Sequence, residues 1–242
     1  MNAKLAGAVG WLRIHLGAVK DNVVRIATNE KGDVKVEKPA TCPPDGHVVL
    51  TPRLLLRTPT KRDLGIAKAA ASDREAQRWL NWDRRDVMPS LLRWLVMSRA
   101  PRQGRPVRYP PGKHGLIAVD PWSADLAGSV AADLETGEIG GSLSPWFRGQ
   151  GLGAELFGGA AELLHHHFGI EVVPAGADPA NAASVGALLA AGFTPTYGPS
   201  THIQPDGRVI PARWFRHVSA RPTSCDRSRP WTPRVDRGTA PR

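Results

Sequence analysis

The chain has 242 residues, 41% of them hydrophobic, with a formal net charge of +10 and an isoelectric point near 10.3. That length supports one well-buried core with appendages, and no apolar run is long enough to span a bilayer, so a membrane partner is not expected. Cys42 and Cys225 sit alone in proline-rich flanks, which argues against a disulfide framework and for a reducing cytoplasm. Arg13 and His15 interrupt the apolar N-terminus where a signal peptide would need its core. The basic balance reads either as the arginine-rich usage of a high-GC genome or as a match to an acidic partner: a cofactor phosphate, RNA or a ribosomal surface.

In chain order, residues 1–46 form an extension. Leu5 to Val19 has the composition of a short helix, and Val23 to Glu37 reads as a hairpin turning at Asn29-Glu30-Lys31-Gly32-Asp33. Packing on the domain, or on a second copy in a homodimer, is the expectation for it. Pro43-Pro44-Asp45-Gly46 marks a boundary, and one domain follows over 47–220. Thr51 to Arg57 reads as its opening strand. Thr58-Pro59-Thr60 caps a helix from Lys61 to about Ser72, and helical stretches follow around Glu75 to Trp82 and Pro89 to Met97. Ser98 to Lys113 is a basic loop without a carboxylate. Arg99, Arg102, Arg105, Arg108 and Lys113 make it a solvated surface or, on a sharper reading, a phosphate-tracking one with Tyr109 as a stacking platform.

Strands are expected at Gly115 to Val119, Leu126 to Leu134 and a short run through Ile139 and Leu143. A helix from Ala154 then carries Leu156, Phe157, Ala160, Leu163, Leu164 and Phe168 at helical spacing. His165, His166 and His167 project in three directions and cannot converge on one metal, so no metal is expected; they read as imidazolium groups at a helix C-terminus. Val172 to Ala177 is a strand despite Pro174, Ser184 to Ala191 a helix stopped by Gly192, and Thr194 to Tyr197 and Val209 to Val218 are strands. Residues 221–242, with six arginines against two aspartates, read as a disordered basic tail.

The chemistry concentrates at Arg148-Gly149-Gln150-Gly151-Leu152-Gly153, where a strand passes through a glycine-rich turn into a helix. The first turn of a helix presents unpartnered N–H groups and partial positive charge, and glycine removes the Cβ atoms that would hold a phosphate off. A phosphate or pyrophosphate is the expected guest, with Arg148 and the Gln150 amide as added donors. A Walker A loop would need Lys-Ser or Lys-Thr where Ala154-Glu155 stand, and a dinucleotide fingerprint would need a third glycine at position 154 and a place early in a βαβ unit.

The run matches R/Q-x-x-G-x-G/A, and in this the chain resembles the GNAT superfamily of acyl-CoA N-acyltransferases. Asp178-Pro179-Ala180-Asn181-Ala182-Ala183-Ser184, Leu188 and Gly192-Phe193 resemble the N-x-x-S … G-F pattern of its branch that acetylates ribosomal-protein N-termini, and Thr51 to Arg57 is similar to that branch's opening strand. The resemblance covers about Val48 to Val218. It implies an α/β (α+β) GNAT fold: a mixed, mostly antiparallel sheet of about seven strands, helices on both faces, and fourth and fifth strands splayed to admit pantetheine.

The resemblance also implies direct attack of an amine on the thioester of acetyl-CoA or another acyl-CoA. Carried over, Arg148, Gly149, Gln150, Gly151, Leu152, Gly153 and Ala154 hold the pyrophosphate; the backbone of Leu143 and Ser144 pairs with pantetheine; Asn181 contacts the pantetheine arm or a water; and Ser184 donates a proton to the thiolate. The tyrosine used by many relatives falls at Leu188, and the glutamate base of some N-terminal acetyltransferases falls at Gly176. Glu138 is the first substitute base, then Glu135 and His202, with Tyr197 after them. Gly141-Ser142 stands where the branch has Tyr-Trp, implying a wider acceptor site or one filled from elsewhere.

The expected activity is acylation, acetylation foremost, of a primary amine on a small molecule or a protein N-terminus. Two alternatives accompany it: a GNAT-fold transferase that uses aminoacyl-tRNA as donor or acceptor, and a non-catalytic module that binds CoA or RNA.

Overall fold

The computed structural model describes residues 25–28, 34–37, 46–80, 86–97, 104–204 and 206–219. The expectations for Leu5 to Val19, Trp82, Arg99, Arg102, both cysteines and the basic tail fall outside those residues. Strands β1 (Arg25–Thr28) and β2 (Val34–Glu37) pair antiparallel with Arg25 opposite Glu37, the hairpin anticipated from the turn residues between them.

The domain opens with β3 (Val48–Leu50) and β4 (Leu55–Arg57), a hairpin where one strand was expected. The Thr51 N–H donates to the Leu54 carbonyl at 2.9 Å, and the Thr51 hydroxyl accepts from the Leu54 N–H at 3.0 Å, so the chain turns there. Helix α1 (Lys61–Ala71) starts with a capping box: Asp63 N–H donates to Thr60 Oγ1, and the Asp63 carboxylate accepts from Thr60 N–H. Helices α2 (Arg74–Leu80) and α3 (Ser90–Met97) follow. Then β5 (Lys113–Val119), β6 (Leu126–Asp133) and β7 (Ile139–Leu143) complete a five-stranded antiparallel sheet in the order β3-β4-β5-β6-β7.

Alternation along β5 places helices on both faces of that sheet. Leu116 and Ala118 join the core beneath α4 (Leu152–His167), whereas Ile117 and Val119 pack with Ile66, Ala67 and Ala70 of α1. Past α4 come β8 (Val172–Ala177), α5 (Ala182–Ala190), β9 (Thr194–Thr196), β10 (Thr201–Ile203), β11 (Val209–Pro211) and β12 (Arg213–Val218). The predicted single strand Val209 to Val218 is therefore two: β11 pairs with β10, and β12 lies between β8 and β9 in a second sheet.

All ladders among the described residues are antiparallel. The chain leaves β7, passes through α4 and returns as β8, yet β7 and β8 belong to different sheets with no ladder between them. Their starts touch, since a Cβ on Gly137 would lie 2.7 Å from the Val172 carbonyl oxygen. Further along, a cleft opens between them. Pro174 is tolerated because, among the described residues, β8 is an edge strand paired with β12 alone.

The histidine run is not a set of solvated imidazolium groups. His165 is fully buried, with Nδ1 2.6 Å from the Ile170 carbonyl and Nε2 2.8 Å from His217 Nδ1. A carbonyl can only accept, so His165 carries a proton on Nδ1; with both rings neutral, His217 Nδ1–H donates to His165 Nε2. The pair bonds α4 to β12. Burial, then the neighbouring His165, lowers the His217 pKa below its usual 6.5 against the opposing pull of Glu162. A histidine kept neutral by folding stabilises fully above pH 6.5 and loses that contribution as pH falls below it. The melting temperature should therefore drop between about pH 7.5 and pH 5 in the wild type and drop less in His217→Phe, which calorimetry at several pH values would test.

Candidate active site

The glycine-rich turn has the form expected of an anion cradle. After a short 3-10 turn, Pro145–Phe147, the backbone enters the left-handed region at Gly149 (φ 74°) and at Gly151 (φ 73°), the residue that caps α4. No side chain caps α4, so its first-turn N–H groups have no such partner. A Cβ on Gly149 would meet nothing within 4 Å, so the turn is open. Gly153 serves packing instead: a Cβ there would come within 2.8 Å of Ala187 Cβ, so it brings α5 against α4.

The two side chains expected to add donors are engaged within the protein. Arg148 forks onto Asp73, Nη1 to Oδ1 at 2.9 Å and Nη2 to Oδ2 at 2.6 Å, and its Nε donates to the Leu143 carbonyl at 3.1 Å. The Gln150 amide donates to the Trp146 carbonyl. Burial pushes the Asp73 carboxyl up, but the Arg148 guanidinium and the N–H groups of Ala76 and Glu75 outweigh it and hold the pKa below 3.8. The side chains of the turn are thus engaged and its backbone amides are left facing the opening, while Arg148 clasps the turn to the start of α2.

Strand alternation corrects one backbone assignment. Ser144 N–H donates to Ala127 O at 2.8 Å, and Asp133 N–H donates to Glu138 O at 2.8 Å. With Ser129 opposite Ser142 and Ala131 opposite Gly140, residues 138, 140, 142 and 144 direct their backbone groups into β6. The Ser144 carbonyl also accepts from Phe147 N–H. Ser144 is therefore unavailable to pair with an incoming chain. The open edge presents Ile139, Gly141 and Leu143, so Gly141 takes the place expected of Ser144 beside Leu143.

Two adjoining cavities lie between β7, β8, α2 and α5. One, of about 430 Å³, runs from Gly149, Gly151 and Ala154 along Gly141 and Leu143 to Ala187. The other, of about 260 Å³, is lined by Glu138, Asp178, His202 and Gln204. They share Trp79, Leu80, Gly141, Phe157, Asn181 and Ser184. Ser184 therefore stands at the junction. Asn181 Oδ1 caps α5 by accepting Ser184 N–H at 3.1 Å, which fixes both residues at that junction.

The remaining candidates separate clearly. Glu138 and His202 line the smaller cavity; Tyr197 is fully exposed and lines neither, and Glu135 packs against Gly112. These positions leave Tyr197 and Glu135 away from both cavities. Leu188 is buried in the core. Gly176 has a physical reason to lack a side chain, because the Trp214 ring lies 3.3 Å from where its Cβ would be. Gly141 is likewise forced, with Ser129 O 2.6 Å from its would-be Cβ, and the aromatic rings lining both cavities are those of Trp79 in α2 and Phe157 in α4.

Of the basic loop, Arg105 and Arg108 are exposed, but Tyr109 packs over Gly115 and beside His114, and Lys113 pairs with Asp133. Tyr109 is thus not a free stacking platform. None of the four lines either cavity.

Residues 53–194 match the family model described as an acetyltransferase (GNAT) domain. The chain belongs to the GNAT acetyltransferase family. The splayed strands, open glycine turn and cleft are that family's fold, and the chain is an acyltransferase that acts on an amine-bearing substrate. Solved GNAT structures superpose over most of their length. A GNAT acetyltransferase from Bacillus anthracis shares 13% identity over 71% of this chain and 98% of its own, with a TM-score of 0.50. Spermidine N-acetyltransferase from Vibrio cholerae, solved with CoA and spermine, shares 14% over 69% and 96%, with a TM-score of 0.51. Ribosomal-protein-S5-alanine acetyltransferase from Vibrio fischeri shares 14% over 77% and 100%, with a TM-score of 0.51. No curated protein matches the chain. Among the described residues, no helix is long and apolar enough to cross a membrane, and no group of side chains could hold a metal ion.

Proposed function

We propose that this GNAT enzyme moves an acyl group, acetyl foremost, from acyl-CoA to a primary amine on a small molecule or a protein N-terminus. The single observation carrying the proposal is the position of Ser184, shared by a long cavity that begins at the anion cradle and a short one lined by carboxylates. The fit to acyl-CoA rests on the space left at Gly149 and on the unladdered edge of β7. Backbone amides at the start of α4 would hold the diphosphate, and Gly141 and Leu143 would receive the pantetheine arm. The donor supplies an activated acyl group; the chain positions both substrates and handles the protons.

Ser184 Oγ is the proton donor to the departing sulfur. Glu138 is the base for the ammonium, directly or through a water, with His202 second. Among the described residues, no lysine or arginine lines the smaller cavity, although the protein carries a net charge of +10. This favours a cationic amine there over an anionic acceptor such as tRNA. The N-x-x-S … G-F pattern at Asn181, Ser184 and Gly192-Phe193 supports the branch that acetylates ribosomal-protein N-termini.

Calorimetry with acetyl-CoA, followed by CoA release across a panel of amines and N-terminal peptides, tests the proposal. Binding with turnover is expected; tight, steeply salt-dependent tRNA binding without CoA binding would replace it with the tRNA reading. In Ser184→Ala, kcat should fall on the order of 100-fold while the CoA Kd stays within about twofold, the signature of an interaction made only in the transition state.

A further inference from the structure

The long cavity needs positive charge at its phosphate end, and Arg148 is committed to Asp73. A second guanidinium reaches the same turn from a distant part of the chain. Arg53, in the β3–β4 turn, donates from Nη1 to the Gln150 carbonyl at 2.8 Å and from Nε to Glu155 Oε1. Its backbone N–H and the Thr51 hydroxyl both donate to Glu155 Oε2, which fixes the carboxylate independently of the guanidinium. The third nitrogen, Nη2, has no hydrogen-bond partner among the described residues and lies 3.7 Å from the position a Cβ on Gly151 would take. The side chain is 53% exposed.

We infer that Arg53 is a cofactor-binding residue whose Nη2 donates to a phosphate oxygen of CoA at the Gly149–Gly151 turn. Three facts meet here: a rigidly held guanidinium, an unspent donor and an open glycine turn. A fork with two nitrogens anchored in the protein presents its remaining N–H groups at little entropic cost. The role rests on the proposed use of acyl-CoA.

Calorimetric titration of CoA into wild type, Arg53→Gln and Arg53→Lys at about 50 mM and about 0.5 M salt tests it. At low salt Arg53→Gln should bind about tenfold more weakly and Arg53→Lys should retain most of the affinity, with the gap to wild type closing at high salt as charges are screened. A loss that persists with dephospho-CoA assigns the contact to the diphosphate; one that vanishes assigns it to the 3′-phosphate. Equal affinity of Arg53→Gln and wild type at low salt, or a deficit that salt does not change, would overturn the inference and leave Arg53 as a brace for the turn. Failure of wild type to bind CoA at all would overturn both this role and the donor assignment.

Discussion

Gly151→Asp should weaken CoA binding on the order of 100-fold or more, while Gly151→Asn should weaken it far less. The position has φ 73°, so most side chains would strain the backbone. Asn and Asp are the residues that tolerate this region best, which makes the pair a control for conformation. Space is not the obstacle, since the nearest atom to an added Cβ is Arg53 Nη2 at 3.7 Å. What differs is charge. Two like charges about 4 Å apart repel by about 1 kcal/mol in bulk water and about 4 kcal/mol near a protein surface. Calorimetry on both variants, with circular dichroism confirming the fold, decides the matter; similar affinities for the two would mean that no phosphate sits at this turn.

The second large effect concerns the clasp. Arg148→Ala should destabilise the protein by about 3 kcal/mol, the low end of the range for breaking a buried pair, because it strands the carboxylate of the buried Asp73. Asp73→Ala also removes the acceptor for the N–H groups of Glu75 and Ala76 at the start of α2. The double variant should be more stable than the sum of the single losses predicts, since neither partner is then left alone. Chemical denaturation of all four proteins closes the cycle. Additive losses would show that the fork contributes nothing as a pair. Function should follow stability here: α2 carries Trp79 and Leu80, which wall both cavities, so loosening its start should raise the KM for the amine as well as weaken CoA.

What could be read ahead of the structure was local. A glycine turn entering a helix is specified within six residues, and its positive φ angles follow from residue type alone. The helix ends at Thr60 and Gly192 and the strands β5 to β8 are likewise set by neighbours in sequence. The clasp was not legible, because Asp73 and Arg148 are 75 residues apart and nothing in either neighbourhood names the other. The same holds for Arg53 and Gln150, 97 apart, and for His165 and His217, 52 apart. A run of three histidines looks like a solvated helix end until tertiary packing buries the first of them. The division of Val209 to Val218 escaped pattern reading because alternation continues across it; the break lies in which partner each half finds, β10 or β8. Ser144 failed for a related reason. Residue type says nothing about which side of a strand its N–H faces, and only the register with β6 decides it.

The unladdered seam between β7 and β8 carries a hazard as well as a use. A bare strand edge invites any extended chain, including that of a misfolded neighbour. Here the two lips are blunted in different ways: Arg148 lays its charge over the Leu143 carbonyl on one, and Pro174 contributes no N–H on the other. Contact at Gly137 seals one end, so the seam is a notch with a single mouth. A strand that pairs with the Leu143 carbonyl must displace that guanidinium, and one that pairs along β8 finds no N–H at Pro174. Self-association through this edge is thereby discouraged by the same side chain that clasps the glycine turn to α2.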